Sequence, residues 1–115
     1  MTVTHARIRT KSAMTYLRRF KNDWRNSTSS LTEGKNSAVI VLPLGQCKLE
    51  ARDDFLDVTI RADSIVYTGL LEDLVSNHLD RLSQEERLRY PWILLQTAME
   101  EDLILHRNMK SGFRN

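Results

Sequence analysis

His78 is the side chain placed where its chemistry could be used. It falls in the apolar stripe of a predicted helix, within the stretch His78-Leu-Asp-Arg81. An imidazole in such a position can move a proton or bind a metal ion. The alternative is a partly buried histidine whose nitrogens are satisfied by the backbone or by a neighbouring side chain. No histidine or cysteine stands at a metal-binding spacing from it, so we predict neither a metal site nor a cofactor.

The other reactive side chains do not form a catalytic set. Cys47 alternates with Leu49 and Ala51 on the inward side of a predicted strand, where burial keeps a thiol protonated and inert. Glu50 and Asp57 are expected to lie opposite each other on the outer side of the sheet. Such a pair can share a proton or a divalent ion, but the cations around it favour ordinary charge pairing. With no glycine-rich phosphate loop either, the sequence predicts no catalytic residues and a protein that is not an enzyme.

Positive charge is concentrated at the beginning of the chain. Residues 1–36 contain eight Lys or Arg and two Asp or Glu, whereas residues 37–115 contain nine and thirteen. Such an asymmetry is typical of an anion-binding end, or of two separately solvated surfaces. The aromatic residues of the first predicted helix belong to its buried stripe, which disfavours nucleic-acid binding. The cations that lie off that stripe are Arg18, Arg19, Lys21 and Arg25.

The size and composition fit one soluble domain. The chain has 115 residues, of which 41% are hydrophobic and 28% charged, and its longest apolar run, residues 38–44, is far too short to span a bilayer. We predict a single domain over residues 1–107, followed by a flexible tail over residues 108–115. The N-terminus lacks an apolar signal core and the single cysteine fits a reducing compartment, so we expect a cytoplasmic protein without membrane contact.

Residues 37–63 predict a three-strand antiparallel meander. A turn at Leu44-Gly45 places Ile40 opposite Leu49, and a turn at Asp53-Asp54 places Leu49 opposite Val58. Both registers put one apolar set on the same side of the sheet, which is the condition for a buried face. The stretches that alternate with the period of a strand are 38–43, 46–52 and 55–63.

Further strands and a first helix surround this meander. Thr2 to Thr10 alternates as a strand, and Ser29 to Glu33 is a weak edge strand. Ser12 is a suitable N-cap for the first helix. The apolar stripe of that helix consists of Ala13, Tyr16, Leu17, Phe20 and Trp24.

Two more helices are predicted after the meander. The second follows Asp63-Ser64 and ends before Tyr90-Pro91. A third runs from Trp92 to His106 and is apolar on more than one face, so Trp92–Leu105 is a candidate homodimer surface. The stripe of the second helix consists of Leu71, Leu74, Val75, His78 and Leu82, widened by Leu70 and Leu79. The expected fold is therefore α+β, a two-layer arrangement of an antiparallel sheet of four to five strands with helices on one face, plus an extra C-terminal helix.

Four stretches of this sequence resemble the bacterial family known as domain of unknown function 2218, over about residues 3–92. They are Ala6-Arg-Ile-Arg-Thr10, Tyr16-Leu17, Leu42-Pro-Leu-Gly45-Gln-Cys-Lys-Leu49, and Leu71-Glu-Asp-Leu-Val75 with His78-Leu-Asp-Arg81, Glu86 and Trp92. The resemblance implies a β-α-β(4)-α order similar to half of a TATA-box-binding-protein fold. It implies no established activity. Relatives that accompany siderophore-interacting flavin reductases suggest a role in iron handling.

The resemblance also identifies a departure. Relatives often carry two histidines at the end of helix one, where this sequence has Asp23 and Asn26. We therefore take His78, Arg81 and Asp23 as candidate ligand-binding residues of a non-enzymatic accessory domain, which would bind a small ligand or a siderophore-related protein. The alternatives are a structural homodimer, or an anion or nucleic-acid binder that uses the basic face of helix one.

Overall fold

An antiparallel sheet of six strands forms the floor of the molecule. The computed structural model describes residues 1–26 and 30–96. The strands are ordered β2-β3-β4-β5-β1-β6 across the sheet, and every neighbouring pair is antiparallel. The elements in chain order are β1 (Thr2–Arg9), α1 (Ala13–Arg25), β2 (Ser30–Glu33), β3 (Ser37–Leu42), β4 (Gly45–Ala51), β5 (Phe55–Ala62), α2 (Ile65–Leu82) and β6 (Ile93–Gln96). The predicted α+β class is confirmed, with one strand more than expected.

Both helices cover the same side of the sheet. The alternating inward residues of β1, β3, β4 and β5 join one buried cluster with the apolar residues of the helices. From α1 this cluster takes Leu17 and Phe20, and from α2 it takes Leu71, Val75 and Leu79, all at most 2% exposed. Removal of this apolar surface from water is the main force that fixes the helices on the sheet.

One predicted strand register is confirmed and the other is wrong by two residues. Leu49 lies opposite Val58, as the sequence predicts, but Ile40 lies opposite Cys47 and not Leu49. Gly45 therefore belongs to β4 and not to the turn. A Cβ at Gly45 would lie 2.3 Å from the Arg61 carbonyl oxygen, so this close strand approach requires glycine. A slip of two residues keeps every side chain on its face, and alternation alone cannot detect it.

The second helix is shorter than predicted. It ends at Leu82, where the Ser83 hydroxyl and amide both donate to the Leu79 carbonyl oxygen. The chain beyond it is held by tertiary contacts of Glu86, which no helical pattern could reveal. Leu70 and Leu74 were expected in the buried stripe, yet they are 51% and 37% exposed.

The predicted third helix is wrong in the part that the structure describes. Ile93–Gln96 is a strand that pairs with β1 and extends the sheet. The exposed edge of β1 offers backbone groups that need partners, and this demand outweighs the local helical pattern. The remainder of the predicted helix, residues 97–106, and the predicted tail, residues 108–115, lie outside the described residues.

Candidate ligand-binding site between the helices

The packing of α1 against α2 brings Asp23 and His78 together. His78 Nε2 lies 2.6 Å from Asp23 Oδ2, although the two residues are 55 positions apart. The imidazole is 8% exposed and lies 4.7 Å from the ring of Phe20 and 6.2 Å from that of Trp24. The two aromatic rings leave the imidazole little contact with solvent, and the half-exposed carboxylate satisfies its Nε2.

This His–Asp pair can orient an imidazole, but it is poorly placed to act on a substrate. A general base must reach the proton that it removes, and burial beside Phe20 and Trp24 restricts that access. The pair matches the alternative in which a neighbour satisfies the histidine nitrogen. We therefore interpret it as a bond between α1 and α2 that fixes their relative position.

A polar cavity of about 490 Å³ lies further along the same pair of helices. Its walls are the beginning of α1, with Ser12 and Thr15, and the end of α2, with Arg81 and Ser83. Arg19 also lines it. This volume is within the range of pockets that hold small molecules.

The electrostatics of the cavity favour an anion. The first turn of α1 contains no acidic residue, and the Ser12 side chain makes no capping hydrogen bond to the amides of that turn. Unpaired amides at a helix N-terminus attract negative charge. Among the lining residues, Arg19 and Arg81 are two cations and Glu85 is one carboxylate. The Glu86 carboxylate, which accepts from the lining Tyr16 hydroxyl, adds a second negative charge at the wall. Arg19 is held in place because its Nη1 donates to the Leu82 carbonyl oxygen at 2.9 Å.

Glu86 fixes the wall of the cavity. Its Oε1 accepts hydrogen bonds from the Tyr16 hydroxyl at 2.5 Å and from the Thr10 hydroxyl at 2.9 Å. Burial, together with the neighbouring Glu86 carboxylate, raises the pKa of Tyr16 above its usual value. The Tyr16 phenol therefore stays a neutral donor, and the segment after α2 is tied to the beginning of α1.

The structure separates the three candidate residues that the sequence suggested. Asp23 and His78 contact each other, whereas Arg81 lies one turn further along α2 and lines the cavity, which neither of the other two does. Sequence reasoning assigned Arg19 to the basic face of helix one and Ser12 to its N-cap, but it placed neither of them at a cavity, and it did not name Thr15. The available signal was that Arg19 and Asp23 lie four residues apart and so share a face of the helix.

The basic face of helix one is smaller than predicted. Lys21 is 8% exposed and donates to the Gly34 carbonyl oxygen at 2.9 Å. Arg25 makes two hydrogen bonds with the carboxylate of Glu33. These two contacts leave Arg18 and Arg19 as the cations of that face that have no carboxylate partner among the described residues.

The carboxylates on the outer face of the sheet pair with basic side chains on the same face. Glu50 and Asp57 lie opposite each other, as the sequence predicts. Asp57 accepts from His5 and Arg7, and Glu50 accepts from Arg52, so cations neutralise both carboxylates. On the inner face, burial raises the pKa of the Cys47 thiol to about 12.

The described residues contain neither a candidate metal site nor a membrane-spanning helix. Residues 1–26 and 30–96 hold no group of three or more His, Cys, Asp or Glu side chains positioned for a metal ion. Neither helix of that same part of the chain combines the length and the apolar character that crossing a membrane requires.

Comparison with known proteins places this fold in a family. No curated protein matches the chain. The NMR structure of PA4090 from Pseudomonas aeruginosa is similar in fold, with a TM-score of 0.70 and 22% sequence identity, over 81% of this chain and 96% of that one. A family described as an uncharacterized protein conserved in bacteria matches residues 5–93, close to the range that the resemblance predicts. The chain therefore belongs to the bacterial family of domain of unknown function 2218.

Proposed function

We propose that this protein is a small, non-enzymatic, cytoplasmic binding domain that holds a small anionic ligand between its two helices. The observation that supports the proposal most is the cavity of about 490 Å³ that Arg19, Arg81 and the beginning of α1 surround. A guanidinium group pairs with carboxylate or phosphate through two parallel hydrogen bonds. The hydroxyls of Ser12, Thr15 and Ser83 supply further polar contacts for the same ligand.

The ligand chemistry is a compact polyanion that bears carboxylate, phosphate or chelating oxygen groups. Negatively charged ferric chelates belong to this class, and they agree with the link to iron handling that the family resemblance implies. The ligand would contact Arg81 at the end of α2 and the first turn of α1, since both line the cavity. His78 and Asp23 would support this arrangement by holding the helices together.

Thermal shift measurements test the proposal with phosphate, citrate, ferric citrate and a ferric hydroxamate siderophore. We expect at least one of them to raise the melting temperature. The Arg81→Ala variant should bind about tenfold more weakly or worse, because a hydrogen bond to a charged group contributes about 1.5–3 kcal/mol. Lys48→Ala, an exposed change on the outer face of the sheet, is the matched control and should bind normally.

Two outcomes would refute the proposal. Either none of the four anions stabilises the protein, or Arg81→Ala and Lys48→Ala lose affinity equally, which would mean diffuse attraction to positive charge. A His78→Ala variant separates the two parts of the site. This variant should lower the melting temperature of the ligand-free protein. It should weaken ligand binding only indirectly, through a change in the relative position of the two helices.

A second candidate function is that of a structural homodimer, for which β6 supplies the supporting observation. Ile93, Leu94 and Leu95 are all about half exposed on the last strand of the sheet. A second copy that paired with this strand would cover part of the Trp92–Leu105 surface suggested by the sequence. Sedimentation at high protein concentration should then give a dimer, and a monomer would rule the dimer out.

A further inference from the structure

The cavity between the two helices contains a free carboxylate as well as its two cations. The exposed side chain of Glu85 lines it together with Arg19 and Arg81. A carboxylate that shares a cavity with two guanidinium groups is expected to form an ion pair with one of them. Glu85 forms no such pair, and its side chain makes no hydrogen bond within residues 1–26 and 30–96. Its oxygens are therefore open to a ligand.

The end of α2 explains why Arg81 and Glu85 stay apart. Side chains four residues apart on a continuous helix lie on one face and can pair. However, α2 ends at Leu82, and the Ser83 hydroxyl donates to the Leu79 carbonyl oxygen there. Glu85 lies beyond this end, so the helical spacing does not bring its carboxylate to the guanidinium of Arg81.

The two cations also keep donors for a ligand. Arg19 donates through Nη1 to the Leu82 carbonyl oxygen, which leaves its other N–H groups available. The side chain of Arg81 has no hydrogen-bond partner in the part of the chain that the structure describes. The cavity therefore presents donors from both arginines and an acceptor from Glu85. A ligand that satisfies all three must carry anionic acceptors and at least one donor.

A ligand built only of carboxylate or phosphate groups does not meet this requirement. It has nothing to donate to Glu85, and its negative charge is repelled by that carboxylate. Glu86 adds to the repulsion and is occupied as an acceptor, because its Oε1 accepts from the Tyr16 and Thr10 hydroxyls. The acidic groups of the cavity therefore disfavour a plain polyanion.

A hydroxyl group suits Glu85 better than an ammonium group does. Both can donate to a carboxylate. An ammonium group, however, would share a cavity of about 490 Å³ with the guanidinium groups of Arg19 and Arg81, which repel a further cation. A hydroxyl brings the donor without the charge.

From these observations, and resting on the anion site proposed above, we infer that the ligand is a hydroxycarboxylate. Its carboxylates pair with Arg19 and Arg81, and its hydroxyl donates to Glu85. Glu85 is then the residue that sets specificity, because it favours a hydroxylated anion over an anion of the same charge and similar size that lacks the hydroxyl.

Calorimetric titration of the full chain with citrate and with tricarballylate tests this inference. The two anions carry the same three carboxylates, all ionised at about pH 8, and only citrate has a hydroxyl. We expect citrate to bind about tenfold more tightly, because its hydroxyl donates to a charged acceptor. In Glu85→Ala the two anions should bind equally. Asp73→Ala removes an exposed carboxylate of α2 that does not line the cavity, and it should keep the preference for citrate.

The possible results separate this inference from the proposed function. Equal affinities of the wild type for citrate and tricarballylate, both weakened by Arg81→Ala, would overturn the inference and leave the anion site intact. A preference for citrate that persists in Glu85→Ala would overturn the role of Glu85 and the inference with it. Binding of neither anion would also overturn the inference, and the proposed function would fail too if phosphate and the ferric chelates do not bind.

Discussion

The two halves of α2 belong to one helix but meet different surroundings. The second half faces α1, buries Val75 and Leu79, and places Arg81 at a polar cavity. The first half carries apolar side chains toward solvent among the described residues, although its sequence is no more polar. The apolar pattern of a helix therefore indicates which of its faces need partners, but it does not identify the partner that covers each face.

Leu79→Ala should have the largest effect on stability. Leu79 is fully buried between α2 and the sheet, so its truncation should lower the free energy of unfolding by about 2–5 kcal/mol. The matched change Leu70→Ala, in the first half of the same helix, should cost about 1 kcal/mol. Urea unfolding of both variants checks the contrast, and equal losses would contradict it.

Removal of Glu86 should have the next largest effect. Glu86→Ala leaves the hydroxyls of Tyr16 and Thr10 without their shared acceptor, and bonds to a charged group contribute about 1.5–3 kcal/mol. Glu85→Ala removes the neighbouring exposed carboxylate and should stay within about 0.5 kcal/mol of the wild type. If both variants unfold at the same urea concentration, Glu86 does not stabilise the link between the segment after α2 and the beginning of α1.

The same contact predicts a pH dependence at alkaline pH. The pKa of Tyr16 is raised from 10.0 in the folded protein, since burial and Glu86 disfavour the phenolate. The folded state keeps this proton longer than the unfolded chain, so its contribution is complete below pH 10 and is lost as the pH rises through the folded pKa. Burial raises the pKa of Tyr90 in the same direction.

Melting temperatures measured from about pH 9 to 11 should therefore fall with rising pH. The Tyr16→Phe variant should show a shallower fall, because it has no proton to lose at that position. Tyr67→Phe, at an exposed position on the first half of α2, is the matched control. If the melting temperature of Tyr16→Phe falls as steeply with pH as that of the wild type, the alkaline loss of stability does not come from the Tyr16–Glu86 contact.

The smallest effect is expected at Ser76, midway along α2. Its Oγ accepts a hydrogen bond from Trp92 Nε1 at 3.2 Å, which links the segment before β6 to the helix. Ser76→Ala should cost about 0.5–1.5 kcal/mol, the usual contribution of one neutral hydrogen bond. Trp92 fluorescence followed during urea unfolding measures both the stability and the local environment. An unchanged urea midpoint would show that this hydrogen bond does not stabilise the packing of the segment before β6 against α2.

Alternation along the chain was sufficient to predict most of the sheet. The inward positions of β1, β4 and β5 follow from it, and so does the pairing of Leu49 with Val58. It could not locate the turn before Gly45, because a shift of two residues keeps the same face buried. It also could not predict β6, since a run such as Ile93-Leu-Leu fits a helix or a strand equally well and only the open edge of β1 decides.

The candidate site depended on information that one-dimensional patterns do not contain. His78 was identified because a histidine in an apolar stripe is unusual, and its partner Asp23 was named from the family resemblance. Their contact exists because α1 and α2 pack against each other in the folded chain, which brings residues 55 positions apart together. Arg19 was assigned to a solvent-facing surface, and only the packing of the helices places it in a cavity with Arg81.

An NMR titration with citrate and ferric citrate tests the anion site most directly. In the 15N-enriched full chain, we predict saturable shifts of the amide signals of residues 12–19 and 81–85, which surround Arg19 and Arg81. The same titration of Arg81→Ala should require a much higher ligand concentration. Shifts confined to the outer face of the sheet, or linear and equal shifts beside every exposed cation, would contradict a specific anion site between α1 and α2.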